Sequence, residues 1–290
     1  MEGLSNHTRL LNIIMGLALK IPNWPHPLRD LDYNLELIEA NLPEANPDLI
    51  LTTKKYNHSI VVDCKSKTIK EEQIERYINI RSNPSLLTKR GFVDVPVPQH
   101  YSADPTFVSF NDLSNNSLIV DNKIPLLHVI ESNNEIHTIE RKISVFQMDR
   151  LNDVFPIDIR GMKPPYNLYP FDVQDKEIFT IHILRELLDL GIHQISFSEE
   201  ELLKRAHKYW SIISEHKKRE FRTIAGRILY ELGRSELKEY LKKDGAKWNI
   251  ILKKDVKSIQ AFQKRCEDAI KSLQSKLKQS TLEAINNEAN

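Results

Sequence analysis

The chain has 290 residues, 40% hydrophobic and 28% charged, which supplies apolar material for one large core or, more typically, two ordinary ones. Its 41 basic and 40 acidic residues nearly cancel, so it is neither a histone-like polycation nor an acidic solvating tail. Cys64 and Cys266 are its only cysteines, which excludes a disulfide framework and a cysteine zinc site and fits a reducing cytoplasm.

The first apolar run, LLNIIMGLALKI, is too short and too interrupted to span a bilayer and lacks a small-residue cleavage site, so no membrane partner is expected. Residues 5 to 20 read as a helix with Ser5 as N-cap, and IPNWPHPL breaks it. NLELIEA, from Asn34 to Ala40, fits a strand or a short helix equally. LILTT and SIVVDC are rich in β-branched residues and flank the turn-forming KKYNH, which predicts a hairpin. KEEQIERYINI follows as a helix, and TFVSF, SLIV and LLHVI are further strand candidates. The alternation predicts mixed α/β.

Proline density rises in GMKPPYNLYPFDVQD, placing a domain boundary at about 155 to 175. Beyond it KEIFTIHILRELLDLG reads as a helix closed by Gly191, and Ser198 and Glu201 have capping-box spacing at the head of the next. A third helix, from Glu215 to Leu232, puts Phe221, Ile224, Ala225, Ile228, Leu229 and Leu232 on one face and Lys217, Lys218, Arg222 and Arg227 on the opposite surface. ELKEYLKK and KWNIILKK read as strands joined by the Asp-Gly turn of DGA. Helix, short strand, helix, helix and hairpin is the order of a winged helix. From Asp255 onward, Ile259, Phe262, Cys266, Ala269 and Leu273 form a seam that suits packing on its own domain or pairing two protomers. The expected organisation is an α/β mixed sheet flanked by helices over residues 1–165, an α+β winged-helix domain over 175–254, and a C-terminal helix over 255–290.

The chemistry concentrates in PDLILTTKKYNHSIVVDCKSK, which starts at Pro47. Asp63 and Lys65 are two apart on a strand and leave the same face, while Val62 and Cys64 point into the core. Asp48 opens the neighbouring strand, so the hairpin brings the two carboxylates together. Like charges crowded in a partly dry site repel unless a cation holds them, and hard oxygen ligands imply Mg²⁺ or Mn²⁺. Such an ion would polarise a phosphodiester and lower the pKa of a bound water, with Lys65 orienting that water or facing the developing negative charge. Gln73 and Tyr77, four apart, share a face of the helix that follows.

Pro47-Asp48, Asp63-Cys64-Lys65 and the Gln73-x-x-x-Tyr77 pair together resemble the PD-(D/E)xK nuclease superfamily, the last pair being similar to the QxxxY motif of its RecB-like and Cas4-like branch. The resemblance covers about residues 1 to 150. It implies a restriction-endonuclease-like fold, a Mg²⁺- or Mn²⁺-dependent deoxyribonuclease, and catalytic roles for Asp48, Asp63, Lys65, Gln73 and Tyr77, with Asp48 and Asp63 on the metal. That branch carries a Gly-x-x-x-His element whose histidine is a metal ligand, matched by Gly3 and His7. Other branches carry a helical glutamate, for which Glu36 and Glu39 are candidates, so His7, Glu36 and Glu39 stand open as the third ligand.

Residues 175–290 hold 23 basic and 18 acidic residues, against 18 and 22 in the remainder, so the basic excess lies on the winged-helix candidate. Lys217, Lys218, Arg222 and Arg227 on its third helix, with Lys242, Lys243 and Lys247 around the wing, are the expected DNA contacts. Trp210 and Trp248 read as core or interface anchors. By resemblance, such two-domain nucleases serve restriction, phage defence, repair or mobile-element processing in prokaryotic cytoplasm, associated with the nucleoid when bound to DNA and with a helicase or ATPase as a partner subunit. The competing reading is a non-catalytic DNA-binding or assembly module on a degenerate nuclease fold.

Overall fold

The computed structural model of the chain describes residues 3–43, 45–65, 69–132, 135–193, 196–253 and 255–288. The chain divides into two compact units: Asn6–Leu168 with Ile212–Ser214, and Tyr169–Ser211 with Glu215–Asn290 and Met1–Ser5. It is a mixed α/β protein.

The first unit opens with α1 (Asn6–Ala18), whose residues from Leu10 to Ala18 are all buried, as a helix covered on every side requires. A single turn, α2 (Pro27–Asp30), leads to β1 (Asn34–Ile38), β2 (Leu49–Thr53) and β3 (His58–Lys65), an antiparallel meander. The ambiguous NLELIEA is therefore a strand as far as Ile38. The β2–β3 turn closes with Asn57 at φ 56°, a left-handed conformation that asparagine tolerates. Then come α3 (Glu71–Ser82), α4 (Ser85–Lys89), β4 (Ser102–Ser109), α5 (Ser117–Asp121), β5 (Leu126–Ser132), β6 (Glu135–Lys142), α6 (Asp149–Asn152) and β7 (Ile157–Asp158). The seven strands lie in chain order in one sheet, parallel at β3/β4 and β4/β5 and antiparallel elsewhere.

Parallel neighbours need crossover connections, which α3 with α4 and then α5 supply. This corrects the expectation of a strand at SLIV. That segment is α5, because β4 pairs directly with β5 and the chain between them must cross over; Ile119 is buried and Val120 is exposed. The face of the sheet carrying Val61, Ala103 and Phe107 forms a core with Ile74, Tyr77 and Ile80 of α3. Beyond β1, Ile213 bridges Ile38 in parallel and the Ser214 amide donates to the Ile38 carbonyl at 3.0 Å.

The second unit contains α7 (Lys176–His193), β8 (Ser196–Phe197), α8 (Glu199–Ala206), α9 (Glu215–Arg234), β9 (Leu241–Asp244), β10 (Lys247–Ile250) and α10 (Val256–Glu288). Its strands form a small antiparallel sheet in the order β8-β10-β9. Ser198 and Glu201 close a reciprocal capping box at the start of α8. Gly191 does not end a helix. It lies inside α7, where a Cβ would come within 2.3 Å of the Phe262 ring, so glycine there allows α10 to approach. Phe262, Cys266 and Ala269 form the buried side of α10, which packs on α7 in the same unit. ELKEY is turn rather than strand, so the hairpin is shorter than expected, and Lys254 at its far end lies outside the described residues.

Candidate functional site

Asp48 stands just before β2, where its amide donates to the Val62 carbonyl at 2.8 Å, and this holds its carboxyl near enough to Asp63 on β3 to feel that residue's charge. Both are buried, at 7% and 3% exposure, so the face that carries Asp63 is as covered as the one that carries Val62 and Cys64. Asp48 Oδ2 accepts the Cys64 backbone N–H at 2.5 Å. Lys65 Nζ lies 2.5 Å from Asp63 Oδ1, and the Gln73 amide donates to Asp63 Oδ2 at 2.5 Å. Four of the five residues expected to act together are thus joined through the two aspartates and their strand. The fifth, Tyr77, is buried against Phe107 with ring centroids 5.4 Å apart. Its hydroxyl is near enough to Asp63 to feel its charge but completes no hydrogen bond of ordinary geometry.

Of the three candidates for a further ligand, the fold brings two to the cluster. His7, in the first turn of α1, places Nε2 3.0 Å from Glu39 Oε1 and Nδ1 3.7 Å from Asp48 Oδ2. Glu36 stays out: it sits on β1, and the charges acting on it are those of Lys54 and Asp94.

Burial is the leading electrostatic influence. It pushes the Asp48 carboxyl well above the usual carboxylate range; His7 pulls the other way, and Asp63 and Glu39 push it further up. Burial also raises Asp63, opposed by Lys65. The Tyr77 hydroxyl is driven well up by burial and by the charges of Asp63 and Asp48. Carboxyl groups and an imidazole are donors of the type that hold divalent cations.

In the second unit the expected DNA contacts separate. Lys217 is not on the exposed surface. It is 8% exposed and 2.7 Å from Asp172, because it continues the Phe221, Ala225, Ile228 and Leu232 stripe by one helical step. Lys218 pairs with Glu215 and Arg222 with Glu200, each at 2.8 Å. Arg227 is exposed, as are Lys242, Lys243 and Lys247 on the hairpin, with Lys243 3.4 Å from Glu199. The outward stripe of α9 is instead Arg219, Thr223, Arg227, Tyr230 and Arg234, at helical spacing, with the Arg234 guanidinium 4.6 Å from the Tyr230 ring centroid. Arg219, Tyr230 and Arg234 went unread in the sequence, although counting in threes and fours from Arg227 finds them. Trp248 is buried and donates to Glu199 at 2.9 Å, and Trp210 is buried too.

The fold and the site define a mixed α/β protein with a buried cluster of carboxylates, lysine and histidine at one end of a central hairpin. Residues 6–169 match the MJECL32 domain, more than half of the chain, and the chain belongs to that family. Residues 172–285 match a second domain, described as a domain of unknown function (DUF8601). The chain is 35% identical over 210 residues to the uncharacterized protein MJECL32 of Methanocaldococcus jannaschii, an alignment covering 65% of this chain and 47% of that protein. The chain thus spans about half the length of the curated relative it matches. No solved structure matches.

Proposed function

We propose that the first unit is a metal-dependent deoxyribonuclease of the PD-(D/E)xK type and that the second is a winged-helix DNA-binding domain. The observation that carries the reading is the convergence of Asp48, Asp63 and Lys65 at one end of the β2–β3 hairpin, with Gln73 fixed on Asp63. The order of elements supports it: a helix, an antiparallel meander, a crossover helix and a parallel strand surround the site. Mg²⁺ or Mn²⁺ would be held by Asp48, Asp63 and His7, and when bound would supply Lewis-acid polarisation of the phosphodiester and an acidified water. Lys65 would orient the attacking water and face the negative charge that grows on the phosphate. Gln73 fixes the Asp63 rotamer by donating its amide, and Tyr77 closes the floor of the site and keeps it dry.

The second reading, a DNA-binding or assembly module without cleavage, is favoured by the outward arginines of α9, which need no catalysis to work. Incubating the full chain with linear and circular DNA and Mn²⁺ or Mg²⁺, beside Asp63→Ala and Lys65→Ala, separates the two. Metal-dependent products absent from both variants support the nuclease. Intact DNA with a salt-sensitive mobility shift supports the module. Among the described residues no helix is long and apolar enough to cross a membrane. The setting we propose is prokaryotic restriction, phage defence or mobile-element processing in the cytoplasm and nucleoid, with a helicase or ATPase as a partner.

A further inference from the structure

The two halves of α9 differ in what their charges meet. In the amino-terminal half, the part that would enter a major groove in the proposed winged helix, Lys218 pairs with Glu215, Arg222 with Glu200, and Lys217 is buried on Asp172. In the carboxyl-terminal half Arg227, Tyr230 and Arg234 face outward at helical spacing. Between that half and the β9–β10 hairpin lies a groove of about 410 Å³. Its lining carries three cations, Arg222, Arg227 and Lys243, against one anion, Glu199, which accepts from the Trp248 indole at 2.9 Å.

Two features of this groove suit a nucleic-acid strand whose bases are unpaired. Tyr230 is 52% exposed, and no other tyrosine, tryptophan or phenylalanine among the described residues is as open to solvent. The Arg234 guanidinium lies over its ring, 4.6 Å from the centroid, so a cation and an aromatic face are offered together. Gly226 belongs to the groove lining, and a Cβ there would meet nothing closer than Glu199 Oε1 at 3.5 Å, an ordinary contact. Packing therefore admits alanine, the better helix former, and the bare backbone at this point leaves room for a sugar-phosphate chain to come close. A duplex keeps its bases stacked on one another, whereas an unpaired strand presents a base face at every nucleotide. We propose that the second unit holds single-stranded DNA along this groove, with a base stacked on Tyr230, phosphates on Arg227 and Lys243, and the strand passing over Gly226. This rests on the DNA-binding reading of the unit and names the form of DNA it takes.

The test is fluorescence anisotropy of the full chain with labelled oligothymidylate of about 16 nucleotides and with a duplex of the same length, in EDTA so that no cleavage intervenes. The oligothymidylate is expected to bind at least about 10-fold more tightly than the duplex. Tyr230→Ala, at an exposed position, keeps its thermal midpoint and weakens oligothymidylate binding about 5- to 100-fold, with duplex binding little changed. Tyr230→Phe retains the aromatic face and stays close to wild type. Gly226→Leu, which puts a side chain into the groove, weakens oligothymidylate binding as well. Oligothymidylate binding unaltered in Tyr230→Ala, or a duplex bound as tightly as the single strand, overturns the proposal and leaves the DNA-binding reading standing. Tyr230→Phe losing as much as Tyr230→Ala overturns it too, since a hydroxyl and not a stacked ring then holds the strand. Binding of neither probe removes the DNA-binding reading together with this one.

Discussion

At the start of β3, His58 is buried between the Tyr33 hydroxyl, 2.6 Å from Nδ1, and the Asp104 carboxylate, 3.1 Å from Nε2. At the end of the same strand Asp63 is buried almost as deeply, but beside a second aspartate. Asp104 also receives the Gln147 backbone N–H at 2.6 Å and its side-chain amide at 3.1 Å, with Arg81 Nε 3.5 Å away. One carboxylate there is surrounded by donors and cations. At the other end two carboxylates share a lysine, an amide and an imidazole, and both resist ionising. Burial of polar groups alone does not mark a site, since the His58 cluster is a closed network of the kind that holds a sheet together. An excess of like charge held in a dry place is the more telling sign, because the protein alone leaves it unresolved.

The largest effect expected is at the closed network. Asp104→Ala leaves His58 and Arg81 without their partner and should cost about 3–5 kcal/mol of stability in a urea melt, with cleavage unaltered at temperatures where the variant is folded. Loss of cleavage at full folding would break the comparison. Next, Lys65→Ala should lower metal-dependent cleavage about 10²- to 10³-fold at temperatures where the variant is folded, since it removes one donor to the developing charge. Third, Mn²⁺ at 100 times its dissociation constant should stabilise the wild type by about 2.7 kcal/mol, and Asp63→Ala should show no such gain.

A histidine buried among aromatic rings sharpens the contrast. Among the described residues, His207 is ringed by Tyr169, Phe171 and Phe221 and bonds the Phe171 carbonyl, and burial pulls its pKa down to about 3. Burial also pulls His182 down to about 4. Both stay neutral in the folded unit, whereas the unfolded chain takes up protons below its ordinary value of about 6.5. Stability is therefore full above pH 6.5 and falls below it by about 1.4 kcal/mol per pH unit for each histidine. His207→Phe should remove one proton from that slope, read from melts across the acid range. The smallest effect is at the surface: Arg227→Ala should lower the salt slope of DNA binding by about 0.9, and Lys217→Ala should leave it unchanged.

What the sequence disclosed follows from which forces are local. The β2–β3 hairpin was legible because β-branched runs and KKYNH carry their own geometry, and the pairing of the two strands brings Asp48 near Asp63. Gln73 and Tyr77 were legible from helical spacing. SLIV was not, since four apolar residues serve a strand or a helical turn alike, and the pairing of β4 with β5 decides between them. Gly191 was misread because a helix-ending glycine and one that makes room for Phe262 look the same until α10 is in place. Lys217 was assigned to the wrong face although its spacing to Phe221 and Ala225 was in plain view; its partner, Asp172, lies 45 positions earlier in the sequence. That His7 and Glu39, but not Glu36, come to the aspartates was equally out of reach, because it depends on where the first turn of α1 meets the residues that link β1 to β2.

Every residue of the proposed cleavage site lies between His7 and Tyr77, so a recombinant fragment stopping at Leu168 looks sufficient for testing it. It would lack Ile213 and Ser214, the short stretch that pairs with Ile38 at the outer end of β1. A border left bare there is a template on which a second molecule can add its own strand. Such a fragment is expected to aggregate during purification, and the 290-residue chain is the better starting material for testing the proposed activity.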